Sequence, residues 1–183
     1  MEAMADLVLR GKIRSVGVSN FSAKRMRRAH AALGRRGIPL ASNQVKYSLL
    51  DRRIEGNGVL DAAKELGVTI IAYSPLEMGL LTGRFHRDGD LLKTRPIGRR
   101  LSLRRKIDRS RPLVATLDEI AVGHGVTPAQ VALNWLVNAH GDTVVAIPGA
   151  SKPAHAQESA GAMAFSLAPE ELSRLEELTR SFR

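Results

Sequence analysis

Gly11-Lys12-Ile13-Arg14-Ser15-Val16-Gly17-Val18-Ser19-Asn20-Phe21-Ser22 is the stretch on which the fold turns. It reads as a helix end, a short buried strand, a polar turn and a new helix start. Gly11 suits the left-handed residue that closes a helix. Ser15 to Val18 is short, small and β-branched, as a buried parallel strand should be. Ser19 and Asn20 then place hydrogen-bonding side chains at the strand's carboxyl end, where α/β folds bind their ligands. Such a pair is also the usual material of a capping turn before a helix, and Ser22 is well placed as the cap itself.

Before this stretch, Met1 to Arg10 reads as the last turns of a helix, with Met4, Leu7 and Val8 on one side. After it, Met26, Ala29 and Leu33 recur at helical spacing, opposite the charged face of Lys24, Arg25, Arg27 and Arg28. Pro39 to Val45 is a second strand, again with polar residues late in it. A helix from about Gly58 to Leu66 ends at Gly67. Val68 to Ala72 is the clearest strand, and Pro75 prevents its simple continuation. Met78 to Gly83 reads as a short turn or helix, and Leu113 to Val122 as helix. Thr127-Pro128-Ala129-Gln130 carries the strongest helix-start signal, with Thr as cap, Pro at the first helical position and Gln closing a capping box. Val131, Trp135, Leu136 and Val137 form its apolar side. Thr143 to Ile147 is a fourth strand, followed by helices from about Lys152 to Ala162 and from Pro169 onward. Strand and helix thus alternate four times, which predicts a parallel sheet in an α/β fold. No GxGxxG follows any strand, so the dinucleotide-fold signature is absent.

The 183 residues fit a single domain, 1–183, and 44% are hydrophobic, enough for a real core. No apolar run is long enough to span a bilayer, and Glu2 and Asp6 interrupt any secretory signal. There is no cysteine, which removes disulfides, thiolate catalysis and thiolate metal sites and suits a cytoplasmic protein. The five histidines show no metal spacing and read mostly as surface residues, so no metal ligand is assigned. The net charge is +10, and residues 84–111 supply most of it: eleven Lys/Arg against three Asp, a surplus of +8. This stretch shows no sustained period and reads as a basic surface loop within the domain. Attraction of an anionic cofactor is its second reading. Nucleic acid ranks last, because Phe85 is its only aromatic residue.

Five segments, in order, resemble the aldo-keto reductase family: GKIRSVGVSNFS (11–22), GIPLASNQVKYSLLDRR (37–53), LGVTIIAYSPLEMGLLTGRF (66–85), GVTPAQVALNWL (125–136) and VVAIPGASKPAHAQE (144–158). The resemblance implies a (β/α)8 TIM barrel that transfers hydride from NADPH to aldehydes and ketones. A complete barrel needs eight strands in about 250 residues. This chain supplies four, so the expectation is a partial barrel, roughly strands five to eight with their helices. The family's catalytic Asp, Tyr, Lys and His belong to the earlier strands. No catalytic residue is therefore assigned, and neither Tyr47 nor Tyr73 is taken as a proton donor.

What the resemblance implies for this chain is the cofactor half of the site. Ser19, Asn20 and Gln44 match the residues that hydrogen-bond the nicotinamide carboxamide; a hydroxyl and two amides can satisfy its donors and acceptors. Tyr73 matches the aromatic that stacks on the nicotinamide. Ser74, Leu76 and Gly79 match the pyrophosphate loop, and Arg84 stands where related members carry Lys. Gly149, Ala150 and Ser151 match the adenosine 2′-phosphate and adenine end, with His155 and Glu158 further along it. On the residues alone, Gln44 serves equally as a core hydrogen-bonding group, and Tyr73 as strand-end packing. Three departures stand out. His155 replaces the Arg or Gln of many members, Ser159 replaces the Asn of a Glu-Asn pair, and Glu77 brings a carboxylate to the phosphate loop. NADP(H) is favoured over NAD(H). The implied partner is a small carbonyl substrate once the first half of the barrel is supplied, with no membrane partner. Open barrel edges would permit self-association. The rival classes are a non-enzymatic nucleotide- or partner-binding module and an inactive gene fragment. On any of these readings the isolated chain lacks reductase activity.

Overall fold

The computed structural model describes residues 1–92 and 97–182. Helix α1 (Glu2–Leu9) is closed by Gly11, whose φ of +67° only glycine adopts freely. Strand β1 (Val16–Ser19) follows. Helix α2 (Ala23–Gly34) begins at Ser22, whose side chain accepts a hydrogen bond from the Arg25 N–H, and it buries Met26, Ala29 and Leu33. Then come β2 (Leu40–Lys46), the one-turn α3 (Arg53–Gly56), α4 (Val59–Leu66) and β3 (Thr69–Tyr73). An irregular turn over Glu77–Thr82 leads to α5 (Arg84–Arg87) and the long α6 (Ile97–His124). Helix α7 (Pro128–Asn138), strand β4 (Val144–Ala146), α8 (Pro153–Gly161) and α9 (Pro169–Thr179) complete the chain.

The four strands pair in sequence order, β1-β2-β3-β4, and every pair is parallel. Ser19 lies beside Gln44, Gln44 beside Ile71 and Lys46 beside Tyr73. Side chains alternate along each strand, so Ser19, Gln44, Lys46, Ile71 and Tyr73 share one face. The opposite face carries Asn43, Val45, Ile70, Ala72 and Val144, all buried in the main core with Leu33, Leu117 and Trp135. The first face is only half-covered; Val145 and Ile147, which belong to it, are 44% and 46% exposed. One side of the sheet therefore meets helices, and the other presents polar and β-branched apolar groups.

Helix α7 starts as its sequence dictates. Thr127 Oγ1 accepts from the Gln130 N–H at 3.3 Å, and Gln130 Oε1 accepts from the Thr127 N–H at 2.9 Å. Two readings need correction. The basic stretch 84–111 is largely helical among the described residues; only 93–96 lie outside them. The part of α6 before Leu113 is hidden in the sequence because, among the described residues, its buried stripe is a single residue wide. Ile107, Ser110, Leu113, Leu117 and Ile120 recur at three- and four-residue spacing, and the polar Ser110 interrupts the apolar pattern. Ser110 Oγ donates to the Lys106 carbonyl at 2.7 Å, which makes its burial tolerable. The histidines are also less exposed than expected, since only His155 is fully at the surface. His124 meets Glu171 at 2.9 Å, and His140 meets the Tyr47 hydroxyl at 2.6 Å. No helix among the described residues is long and apolar enough to cross a membrane.

Candidate functional site: a cleft at the strand ends

The carboxyl ends of the strands carry the residues that the sequence singled out. Ser19 Oγ donates to the backbone carbonyl of Gln44 at 3.0 Å, and the Asn20 N–H reaches the same carbonyl at 2.8 Å. The Asn20 amide group donates to Ser19 Oγ at 3.4 Å, and the Tyr73 hydroxyl donates to Asn20 Oδ1 at 3.3 Å. Asn20 has φ +55°, a conformation that Asn tolerates better than most residues. The Ser19, Asn20 and Tyr73 side chains thus form one hydrogen-bonded patch across β1 and β3. Gln44 lies between them, half-buried on the same face.

A neighbouring cleft of about 660 Å³ gathers the second group. Its lining includes Ser74, Leu76, Gly79 and Arg84 on one side and Gly149, Ser151, His155 and Glu158 on the other. Ala129 and Leu133 of α7 form its apolar floor. Of the residues assigned to this part of the site, Ala150 is the one that does not line the cleft; it is exposed between Gly149 and Ser151. The backbone at 74–79 bends sharply, with positive φ at Ser74, Glu77, Met78 and Gly79. The Arg84 guanidinium packs where a Gly79 side chain would be, its Nε 3.3 Å from the position a Cβ would take. Opposite, α8 begins at Pro153, so the positive end of its peptide dipoles points toward this wall.

Acidic groups at the cleft are restrained. Glu158 Oε1 accepts from the Thr127 hydroxyl at 2.7 Å. Glu77 turns away from the cleft and is buried, paired with Lys46 and, at 3.6 Å, with Lys106. Burial alone would lower the Lys46 pKa, yet its bonds to Glu77 and Asp51 outweigh that and hold it above the ordinary lysine value. Beside Tyr73 and Asn20 a smaller hollow of about 270 Å³ is lined by Lys46, Asp51 and Arg53. Arg53 grips Asp51 with two hydrogen bonds of 2.8 Å. Although burial opposes its ionisation, the Asp51 carboxyl is held below the usual range by Arg53 and Lys46.

Sequence reasoning missed the anchoring of Glu158 by Thr127, the pairing of Glu77, and the cluster around Arg52. The sequence shows Thr127 only as a cap, since a hydroxyl that caps one helix carries no sign of a second partner 31 residues away. Tyr47 is fully buried, its hydroxyl bonded to Glu55 Oε1 at 2.7 Å as well as to His140. Burial and then Glu55 push its phenol far above the usual tyrosine value, so it holds its proton firmly and lies outside the cleft. Among the described residues no group of His, Asp or Glu gathers to hold a metal.

A parallel sheet flanked by helices, with a cleft where its strands finish, defines the general class: an α/β protein whose candidate site lies at the strand ends. The chain belongs to the aldo/keto reductase family, whose model matches residues 1–180. It is 38% identical to aldo-keto reductase str7 of Strobilurus tenacellus, over 96% of this chain and 52% of that protein. It is 32% identical to aldo-keto reductase yakc [NADP(+)] of Schizosaccharomyces pombe, over 97% of this chain and 51% of that protein. The crystal structure of the thermostable aldo-keto reductase Tm1743, in complex with the inhibitor epalrestat, superposes with a TM-score of 0.71 at 34% identity. It covers 97% of this chain and 53% of that one. The chain spans about half the length of the relatives it matches.

Proposed function

We propose that this chain is the cofactor-binding part of an NADP(H)-dependent aldo-keto reductase, corresponding to strands five to eight of a (β/α)8 barrel. The observation that carries the reading is the joint geometry of two sites. One cleft brings the 74–84 loop to face the 149–158 segment, and the Ser19–Asn20–Tyr73 patch lies next to it at the strand ends. A dinucleotide has these parts in this order: nicotinamide, pyrophosphate, adenosine phosphate.

The residues fit such a group. Ser19, Asn20 and Gln44 offer hydroxyl and amide groups to the carboxamide, and the Tyr73 ring offers a face to the nicotinamide. Gly79, having no side chain, leaves room for Arg84 and for a phosphate at the loop backbone. Ser151 and His155 face the adenosine end, beside the start of α8. When bound, the nicotinamide supplies the hydride for reduction of a carbonyl compound to an alcohol. The work of these residues is to fix which ring face is presented and to hold the charged end. NADP(H), which carries the additional 2′-phosphate, is favoured over NAD(H) by Ser151 and His155 at the adenosine end of the cleft. A proton donor comes from the other half of a complete enzyme, so the isolated chain binds cofactor but reduces nothing.

Fluorescence titration with NADPH tests this. Micromolar binding is expected, with Tyr73→Ala weakening it about tenfold and Tyr73→Phe about twofold or less, since the ring rather than the hydroxyl does the stacking. No binding by the unsubstituted chain refutes the reading. The half-covered sheet face with Val145 and Ile147 favours one companion proposal, that the open strand edges self-associate. Sedimentation velocity decides this, and a strictly monomeric folded species refutes it.

A further inference from the structure

The turn at 77–79 sends two adjacent side chains in opposite directions. The Glu77 side chain is 3% exposed, whereas Met78 is 71% exposed and lines the cleft. Both residues have positive φ, +46° and +54°, and Gly79 follows at +92°. Neither Glu nor Met favours this conformation, so something outside the turn must hold it. The backbone bonds within it are local: the Glu77 N–H to the Ser74 carbonyl at 3.0 Å, and the Gly79 N–H to the Leu76 carbonyl at 2.9 Å. Bonds of this short range form in several turn types and do not by themselves select a left-handed one.

The Glu77 carboxylate is placed to make that selection. It reaches Lys46 at the end of β2 and Lys106 in α6, at 3.6 Å. Lys46 is also 3.5 Å from Asp51, which Arg53 holds in place. Lys46 stands two residues after Gln44 on the same sheet face and directly beside Tyr73. Strand β2, which carries Gln44 beside the amide patch, is thus tied through the Glu77–Lys46 ion pair to the loop that lines the cleft. A buried charge without its partner is costly, so the loop cannot leave this shape while Glu77 stays paired.

We propose that Glu77 is a positioning residue. Paired with Lys46, it fixes the 74–79 backbone in the shape that receives the cofactor's pyrophosphate, and it keeps that loop in register with the nicotinamide end of the site. The inference rests on the cofactor reading above. It explains a carboxylate in a phosphate loop, because the charge faces the two lysines and not the cleft.

Two measurements on Glu77→Gln and on Lys46→Met test it. The first is hydrogen–deuterium exchange without ligand. Faster uptake is expected in peptides covering 74–83, with α4 and α7 unchanged; unchanged uptake at 74–83 overturns the proposal. The second compares Kd for NADPH with Kd for adenosine 2′-monophosphate, which lacks the pyrophosphate and nicotinamide. About tenfold weaker NADPH binding is expected, with the fragment held within about twofold. Equal weakening of both ligands indicates general loosening and overturns the positioning role. If the unsubstituted chain binds no NADPH, the cofactor reading falls and the positioning role with it, whereas the exchange result alone judges the ion-pair anchor. Lys46→Met keeps the test open should Glu77→Gln fail to fold.

Discussion

Asn43 spends both halves of its side-chain amide on the backbone of Phe21: Nδ2 donates to the Phe21 carbonyl at 3.0 Å, and Oδ1 accepts from the Phe21 N–H at 3.3 Å. Asn43 is fully buried in β2, and Phe21 is the residue just after the Ser19–Asn20 turn. The turn that carries the candidate amide clamp is therefore shaped from behind by its neighbouring strand. Asn43→Leu keeps the branched shape but leaves two part-buried backbone groups without this partner. A loss of about 2 kcal/mol is expected, since each orphaned group costs about 1–3 kcal/mol before relaxation. Urea denaturation measures it, and weaker NADPH binding at a temperature where the variant is folded should accompany it.

Arg52 is 2% exposed and fully engaged. Its guanidinium meets Glu55 at 2.7 and 2.6 Å, Glu176 at 2.6 Å and the Thr179 hydroxyl at 2.6 Å, and it lies 5.0 Å from the centre of the Trp135 ring. The cluster fastens α9 to the segment after β2. Removing one partner strands the others, so Arg52→Ala should cost about 3–5 kcal/mol. Arg52→Lys should recover only part of this, because an ammonium cannot bridge two carboxylates and a hydroxyl with the same planar fork. Calorimetry of the two variants orders them.

The same cluster sets a pH dependence. Burial raises the cost of ionising Glu55, but His140, Arg52 and Tyr47 bond its carboxylate and hold its pKa well below the usual value. A depressed folded pKa contributes stability that is complete above the unfolded value, about 4.3 for Glu, and is lost as pH falls through the folded one. Tyr47 behaves in the opposite sense. Its raised pKa contributes stability that is complete below about pH 10 and is lost as pH climbs beyond that. The contribution of this cluster should therefore be flat near neutrality and fall below about pH 4 and above about pH 10. In urea midpoints across pH, Glu55→Gln should flatten the acid limb and Tyr47→Phe the alkaline limb.

How much of this was legible follows from the range over which each signal acts. Ser22, Gly67 and Thr127-Pro128-Ala129-Gln130 act within one turn of chain, and their caps formed as the sequence indicated. The strands were legible from their apolar cores, although each boundary moved by a residue. The cleft residues were legible only as motif positions, because nothing local to Arg84 or His155 says that they face one another. The pairings of Glu77 with Lys46, Arg52 with Glu176 and Glu158 with Thr127 join side chains 31 to 124 residues apart, and no periodicity encodes them. Of the long helix α6 only the part from Leu113 onward was legible, and its N-terminal part was hidden for a different reason. Among the described residues its N-terminal half buries Ile107 and Ser110, and its exposed arginines dominate the composition.

Thr127 holds two roles that one substitution can separate. Its hydroxyl accepts from the Gln130 N–H as the helix cap and donates to Glu158 at the cleft. Thr127→Ala removes both and should cost about 1–2 kcal/mol in stability. Thr127→Asn keeps a capping oxygen and should restore most of the stability. Thr127→Ser keeps both bonds and should match the parent in stability and in NADPH affinity. On the cofactor reading, affinity should change in Thr127→Ala, whose Glu158 carboxylate is free to reorient toward the phosphates, measured by NADPH titration beside the melting curves.

Gly161, near the end of α8, tests the packing between two helices. In an isolated helix Gly→Ala gains up to about 1 kcal/mol. Here a Cβ would come within 2.4 Å of Gln130 Nε2, the far end of the side chain that closes the α7 capping box. The Gln130 side chain can swing aside, but then its bond to the Thr127 N–H at 2.9 Å is lost. The expected outcome for Gly161→Ala is a net change near zero or a loss of up to about 1 kcal/mol, the propensity gain being cancelled by the broken cap. In a Gln130→Ala background the collision is absent, so the same substitution should stabilise by about 0.5–1 kcal/mol. A double-mutant cycle in urea measures the difference. Equal effects of Gly161→Ala in both backgrounds would show that the two side chains do not compete for this space.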